Sequence, residues 1–325
     1  MSDRAQHWLS GRPLLAHAGR RLLLAIPTLW AVLTLVFVAI RTLPGDPALA
    51  ILGDNATAEA IAALRERLGL DRPVWLQYAD FLGGLATGDL GNSLVYGRPV
   101  LGELLRVLPL TLELTAASIL LGSLVGIPLG IVSALHRNRL IDYLTRLFSL
   151  LGFSFPVFYA AILLILVFSV WLPWFPVISA AGDGGVASRL HDLVLPAIAG
   201  ALGLVAMITR ATRSALLEVL GEDYIRTARA KGLSRRTIIL RHALRNALIP
   251  VVTLIGLYFA LIIGNSVLIE TVFTRPGLGT LIVGSLDNRD YPMVQGLLVV
   301  YALIVIVVNI AVDLSYAALD PRVER

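Results

Sequence analysis

The chain has 325 residues, 57% of them hydrophobic and only 15% charged, with a formal charge of +5 and no cysteine. Soluble domains run near ~45–50% apolar and ~25% charged, so a soluble enzyme, a disordered chain and a nucleic-acid-binding domain are excluded. Without cysteine there is no disulfide framework.

The apolar excess is gathered in charge-free runs at 22–40, 114–135, 147–182, 193–209, 246–269 and 291–312. A hydrocarbon core of ~30 Å takes about 20 helical residues. Five runs have that length; the third is long enough for two. Its tail, Trp171-Leu172-Pro173-Trp174-Phe175-Pro176, has two helix-breaking prolines and two tryptophans suited to a membrane interface. One span over 147–170 and an interfacial segment are expected there, giving six spans. The first run could be a cleaved signal, because Arg20 and Arg21 precede it and Ala48-Leu49-Ala50 follows. It is longer than the ~7–15 residues of a signal's apolar region, and Arg41, Pro44, Asp46 and Pro47 intervene. An uncleaved helix is expected.

Lysine and arginine set the orientation, since they collect in cytoplasmic loops. With the N-terminus inside, segments 1–21, 136–146, 210–245 and 313–325 hold 18 of them in 81 residues. The outside segments 41–113, 183–192 and 270–290 hold 9 in 104. Both termini are therefore expected in the cytoplasm. The positive charge reflects topology, and the bilayer, not nucleic acid, is the partner it implies. Splitting the third run would move the basic loop 210–245 outside.

After the first span, residues 57–68 read as a helix with Ile61, Leu64 and Leu68 on one face, ended by Gly69 and Pro73. Residues 83–91 are glycine-rich and read as turns. No strand precedes them and no Gly-Lys-Ser/Thr follows, which speaks against phosphate binding. The helix and outside segment of 1–94 thus form one part, and 95–325, with five spans, the other. Ser118, Gly122, Gly126 and Gly130 recur every fourth residue in the second span, and Gly256, Ala260 and Gly264 in the fifth. Small residues on one face let helices approach closely, either as ordinary packing or as a gate. Pro128, Pro156, Pro196 and Pro250 lie in or at the ends of spans and can kink them.

Lys231 is the single lysine and no P-loop surrounds it, so ATP is not bound here by that motif. The five histidines are scattered, without the metal-binding His-Glu-x-x-His pattern, and no paired carboxylates mark a proton relay. Glu113, after Pro109 and Thr111, reads as a first-turn carboxylate favoured by the helix dipole.

The largest inside loop, 210–245, has an internal design. Asp223 suits an N-cap and Gly232 a C′ position, so a helix of about two turns is expected, then a sharp turn, then a second helix capped by Ser234. Tyr224, Ile225 and Ala228 would share a face, with Arg226 and Arg229 elsewhere. So short a helix is marginal in water and needs a surface to dock on. Anionic lipid and another protein both remain open from the residues alone.

The run Asp223-Tyr224-Ile225-Arg226-Thr227-Ala228-Arg229-Ala230-Lys231-Gly232-Leu233, followed by Arg241-His242-Ala243-Leu244-Arg245-Asn246-Ala247-Leu248-Ile249-Pro250, resembles the coupling loop of ABC-importer permeases of the dipeptide/oligopeptide/nickel branch. The general signature is Glu-Ala-Ala, three residues, Gly, nine residues, then Ile-x-Leu-Pro. Gly232 and Leu244 match it; Arg226-Thr227-Ala228 stands at Glu-Ala-Ala, and His242 and Arg245 replace Ile and Pro. Leu43-Pro44-Gly45-Asp46-Pro47, Leu68-Gly69-Leu70-Asp71-Arg72-Pro73, Gly88-Asp89-Leu90-Gly91, Phe273-Thr274-Arg275-Pro276-Gly277-Leu278-Gly279 and Asn288-Arg289-Asp290-Tyr291-Pro292 resemble the same branch.

The resemblance implies an all-α polytopic membrane protein of the type I importer permease fold, in the inner membrane. Its implied partners are a second homologous permease, two ATP-binding subunits that carry ATP and Mg, and an extracytoplasmic solute-binding protein; no cofactor is expected on this chain. Glu222, Asp223, Tyr224, Ile225, Thr227, Ala228, Lys231 and Gly232 would couple to the ATPases, and Gly122, Gly126, Gly130, Gly256 and Gly264 would pack helices. Peptides are the implied cargo, with nickel chelates or glutathione as alternatives. A stand-alone channel or secondary transporter and a membrane scaffold are the other classes to be tested.

Overall fold

A computed structural model describes residues 11–42, 47–52, 56–67, 69–178 and 185–319. The expected motif residues Leu43 to Asp46, the end of the first outside helix at Leu68 and both chain termini lie outside them. The described residues form helices α1 (Gly11–Thr42), α2 (Pro47–Leu52), α3 (Ala58–Arg67), α4 (Val74–Thr87), α5 (Val100–Leu135), α6 (Leu140–Ser154), α7 (Val157–Ile165), α8 (Gly185–Leu220) and α9 (Asp223–Ala230). Then come α10, built from Arg235–Thr237, a π-helical stretch Ile238–Ala243 and Leu244–Ala247, and α11 (Ile249–Val272), α12 (Leu278–Asp287) and α13 (Tyr291–Leu319).

Five helices, α1, α5, α8, α11 and α13, are long and apolar enough to cross a membrane. The expected third span is not one straight helix. α6 and the segment Val157–Trp171 meet at a bend of 101°, and they make a sixth span only if the bent pair counts as one. The cause is local. Phe155 precedes a proline and is driven into extended backbone (φ −88°, ψ 126°), and Pro156, which has no N–H, opens α7 from its N-cap position.

The chain packs as two compact units. One comprises Leu112–Arg275 with the described parts of Met1–Gly19 and Val308–Arg325; the other comprises Arg20–Thr111 and Pro276–Val307.

In the first unit α8 is central: 61% of its most apolar stretch is buried, against 22–33% in the other spans. Three clusters follow its length. Leu193, Leu195, Ala197 and Ala199 pack with Leu114, Ala161, Ile269 and Phe273. Leu204 and Ile208 pack with Val251 and Ile262, and Leu216 packs into the base. α5 lies unusually close to α8. A Cβ on Gly122 would come 2.6 Å from Leu204 Cδ2, one on Gly126 2.9 Å from Ile208, and one on Gly130 2.6 Å from Thr212 Cβ. Ser118 makes the same approach to Gly200. Two four-residue ladders, 118–130 and 200–212, therefore mesh, and Thr209 Oγ1 donates to the Gly126 carbonyl at 3.2 Å. Gly256 sits similarly under Val312, but a methyl on Gly264 would meet nothing within 4 Å. Among the described residues nothing packs closely at Gly264, and its side of α11 is open within this chain.

In the second unit, Val36 and Ile40 of α1 pack on Tyr291 and Val294, and Val100, Leu104 and Val107 pack with Leu278, Met293 and Leu297. Buried Asp290 caps α13 by accepting from the Met293 N–H at 3.3 Å; it also accepts from Leu94 N–H at 3.1 Å and from the Ser93 hydroxyl. The turns expected over 83–91 begin late. α4 runs through Gly83 and Gly84 and ends at Gly88 (φ 76°), which donates to the Leu85 carbonyl while Asp89 N–H donates to Gly84. Glycine is needed at 84 because a Cβ there would lie 2.7 Å from the Asp89 carbonyl oxygen.

Candidate coupling surface

α8 hands the chain, through Gly221, to the short helix α9. Glu222 occupies the N-cap position, with extended backbone and no side-chain cap bond. The expected cap, Asp223, is instead the first helical residue, where its carboxylate still meets the positive end of the dipole. Its ion pair with Arg226, at 3.3 Å, is exposed on both sides and contributes little.

The far end closes tightly. Gly232 has φ 77°, its N–H donates to Arg229, and Leu233 N–H donates to Ala228. These are the two bonds of a Schellman turn, which requires left-handed backbone at Gly232. Ser234 then caps α10 by accepting from Thr237 N–H at 3.3 Å.

The apolar face of α9 is already occupied. Ile225 and Ala228 are buried against Ala134, Leu216, Ile238, Ala243 and Ala247 of the same chain. Tyr224 does not join them; it is exposed, and its hydroxyl accepts from Asn246 Nδ2 at 2.8 Å. The expected docking face of Tyr224, Ile225 and Ala228 is thus divided. An eight-residue helix cannot stand on its own hydrogen bonds, so its apolar stripe anchors it to α8 and α10. What points outward is Glu222, Asp223, Tyr224, Arg226, Thr227, Arg229, Ala230 and Lys231. An amphipathic lipid-surface helix would turn its apolar stripe the other way. Beside α9 lies a cleft of about 390 Å³ lined by Leu220, Leu233 and Ile239 with Arg229 and Arg235.

The helix that carries α9 is itself pinned. Two turns before the end of α8, Arg213 donates from Nε and Nη2 to Asp142 at 2.7 and 2.9 Å. Asp142 is fully buried and also accepts from Ser133 Oγ at 2.6 Å and Asn138 N–H at 3.0 Å. One carboxylate therefore joins the ends of α5, α6 and α8. Composition does not expose this site; a pattern does. Asp142, Thr145 and Ser149 are the buried stripe of α6, while Leu144, Leu147, Phe148 and Leu151 are exposed.

A second charged cluster stands at Glu113. Glu113 lies well inside α5, which begins at Val100, so the first-turn assignment does not hold. Its Oε2 accepts from Arg189 at 3.0 Å and from Arg275, only 1% exposed, at 3.1 Å. Burial lowers the Arg275 guanidinium from its ordinary value, while Glu113 and Glu270 oppose that shift.

The profile of the binding-protein-dependent transport system inner membrane components matches residues 126–325, and the profile of their N-terminal region matches residues 14–115. The chain belongs to this family. The permease is 41% identical over 332 residues to the dipeptide transport system permease protein DppB of Alkalihalophilus pseudofirmus, covering 96% of this chain and 100% of the relative. It is 42% identical over 310 residues to the glutathione transport system permease protein GsiC of Escherichia coli K12, covering 95% and 99%. A chain of the inward-facing MetNI methionine ABC transporter superposes with a TM-score of 0.53 at 20% identity, over 67% of this chain and 96% of that one. The permease has the fold of a type I ABC-importer membrane subunit and is a multi-pass inner-membrane protein. It is a transport component, not an enzyme, and its system includes ATPase and solute-binding partners. Family membership thereby decides against a self-sufficient channel or carrier.

Proposed function

We propose that the permease is one of two homologous membrane subunits of a peptide importer, driven by two ATPase subunits that hold ATP and Mg. The observation that carries the coupling step is the anchorage of α9. Its apolar face is buried and its C-terminal end is closed by the turn at Gly232, so a push on its outward face moves α8 and α10 with it as a rigid lever. Glu222, Asp223, Tyr224, Thr227 and Lys231 make the ATPase contacts on this reading, and Ile225, Ala228 and Gly232 hold the helix that presents them. The basic loops support an orientation with both termini and α9 in the cytoplasm, so that the solute-binding protein meets the opposite side. Residues 95–325 act as the permease core and 1–94 as an added helix and outside segment; the family matches, 14–115 and 126–325, also part the chain in two, with the boundary inside α5.

Peptide cargo is supported by the names of the relatives, dipeptide and glutathione transport permeases, since glutathione is itself a small peptide. Purification of the tagged permease from native membranes in mild detergent is expected to bring down a second permease and two ATPases. ATP-dependent uptake of dipeptides or glutathione by that complex, with its binding protein, completes the test. A permease that comes out alone from membranes competent in uptake refutes the assembly; a complete complex that moves neither cargo refutes the substrate.

A further inference from the structure

Inside the first unit, at the 101° bend between α6 and α7, lies a cavity of about 140 Å³. Its walls include Phe153 and Phe155 beside the bend, Gly200 and Gly203 of α8, and Tyr258 and Asn265 of α11. That volume holds several waters. Two features set it apart from a packing defect. Tyr258 and Asn265 stand seven residues apart, two turns along one face of α11. Neither side chain makes a hydrogen bond to protein among the described residues. Asn265 is exposed within the charge-free run 246–269, five residues before Glu270 and beside the open Gly264. An amide placed against hydrocarbon without a partner costs about 1–3 kcal/mol, and polar groups in spans face water or other polar groups instead. The α8 backbone opposite has been cleared: a Cβ on Gly203 would lie 2.5 Å from the Tyr258 hydroxyl oxygen.

We infer that Tyr258 and Asn265 line a wet path and hydrogen-bond the main chain of the peptide in transit, an inference that rests on the peptide-import reading. The chemistry suits that cargo. A carboxamide both donates and accepts, as a peptide unit does, and a phenol can do either. Neither is charged, so contact with the main chain holds a peptide without selecting its side chains. The aromatic walls at Phe153 and Phe155 accept apolar side chains.

The chain has no cysteine, so single cysteines can be read directly. Asn265→Cys, Tyr258→Cys and, as exposed apolar controls on the side of α5 away from α8 and outside the cavity, Leu120→Cys and Leu124→Cys would be made in the complete importer in native membrane vesicles. They would be exposed to a membrane-impermeant methanethiosulfonate. Because only a hydrated thiol ionises readily, the first two are expected to react roughly tenfold or more faster than the controls. Trialanine, delivered with the binding protein, is expected to slow them. In parallel, Asn265→Leu is expected to lower trialanine uptake about 3- to 10-fold, the loss of one hydrogen bond, at unchanged complex assembly. Labelling of Asn265→Cys no faster than of the controls overturns the inference and assigns the amide to a helix–helix contact. Wild-type uptake of trialanine together with labelling that trialanine does not slow overturns the site and leaves peptide import standing. A wild-type importer that moves no peptide overturns the import reading and this inference with it.

Discussion

Replacing Asp142 with Asn tests whether the base of the permease is held by one buried carboxylate. Asp142 is fully buried and takes four hydrogen bonds, two of them from Arg213, whose side chain keeps 20% exposure. Asparagine retains the size and one acceptor oxygen but removes the charge. Breaking a buried ion pair by losing one partner costs about 3–5 kcal/mol, because the other charge stays behind. The residual exposure of Arg213 lets water take up part of that cost, so about 3 kcal/mol is expected. Converted at ~2–4 °C per kcal/mol for a unit of this size, the unfolding midpoint of the purified permease in detergent should fall by about 6–12 °C. Arg213→Met alone should also destabilise. The double variant should recover most of the loss, since replacing both members of a buried pair is often neutral. A midpoint within about 1 °C of wild type for Asp142→Asn, or strictly additive losses in the double variant, would refute the reasoning: the pair would then be solvated and would not tie α6 to α8.

Gly232→Val is expected to cost about 1–2 kcal/mol through backbone strain alone, because φ is 77° and an added Cβ would meet nothing within 4 Å; ATP hydrolysis should continue while uptake falls, Gly232→Asn should be tolerated, and full uptake by the valine variant at normal membrane levels would sink the rigid-turn argument. Gly126→Val and Gly130→Val should overpack the α5–α8 contact by about 1–3 kcal/mol, read as a lower unfolding midpoint, whereas Gly264→Val should leave that midpoint unchanged. Thr227→Trp, on the outward face of α9, should release the ATPases from purified membranes with the permease still folded; Ala228→Arg should lower the unfolding midpoint as well, because it forces a charge into the chain's own core, and ATPases that remain bound to the Thr227 variant would count against that face.

Much of the architecture is legible in the amino-acid sequence. Runs without charge announce spans because an unpaired charge in hydrocarbon is too costly to be placed at random. The turn at Gly232 and the cap at Ser234 were legible because their chemistry is local: a left-handed residue and a hydroxyl aimed at an N–H three residues on. The glycine ladder 122–126–130 was visible as a spacing, but its partners Leu204, Ile208 and Thr212 were not, since a small residue states that something approaches and not what.

Tertiary structure decided the rest. Gly256 and Gly264 have the same spacing and opposite fates, one beneath Val312 and one facing open space. Glu113 reads as a dipole partner from Pro109 and Thr111 alone, but α5 begins at Val100, and its arginines at 189 and 275 are far away in the chain. The Asp142–Arg213 pair joins positions 71 residues apart. The apolar stripe of α9 could face lipid, a partner or its own bundle, and periodicity is identical in all three cases; only the packing of Ile225 and Ala228 under Leu216 and Ala243 chooses. What a residue demands of its nearest neighbours along the chain is written in the sequence by itself. Which distant residue meets that demand is settled only when the helices close on one another.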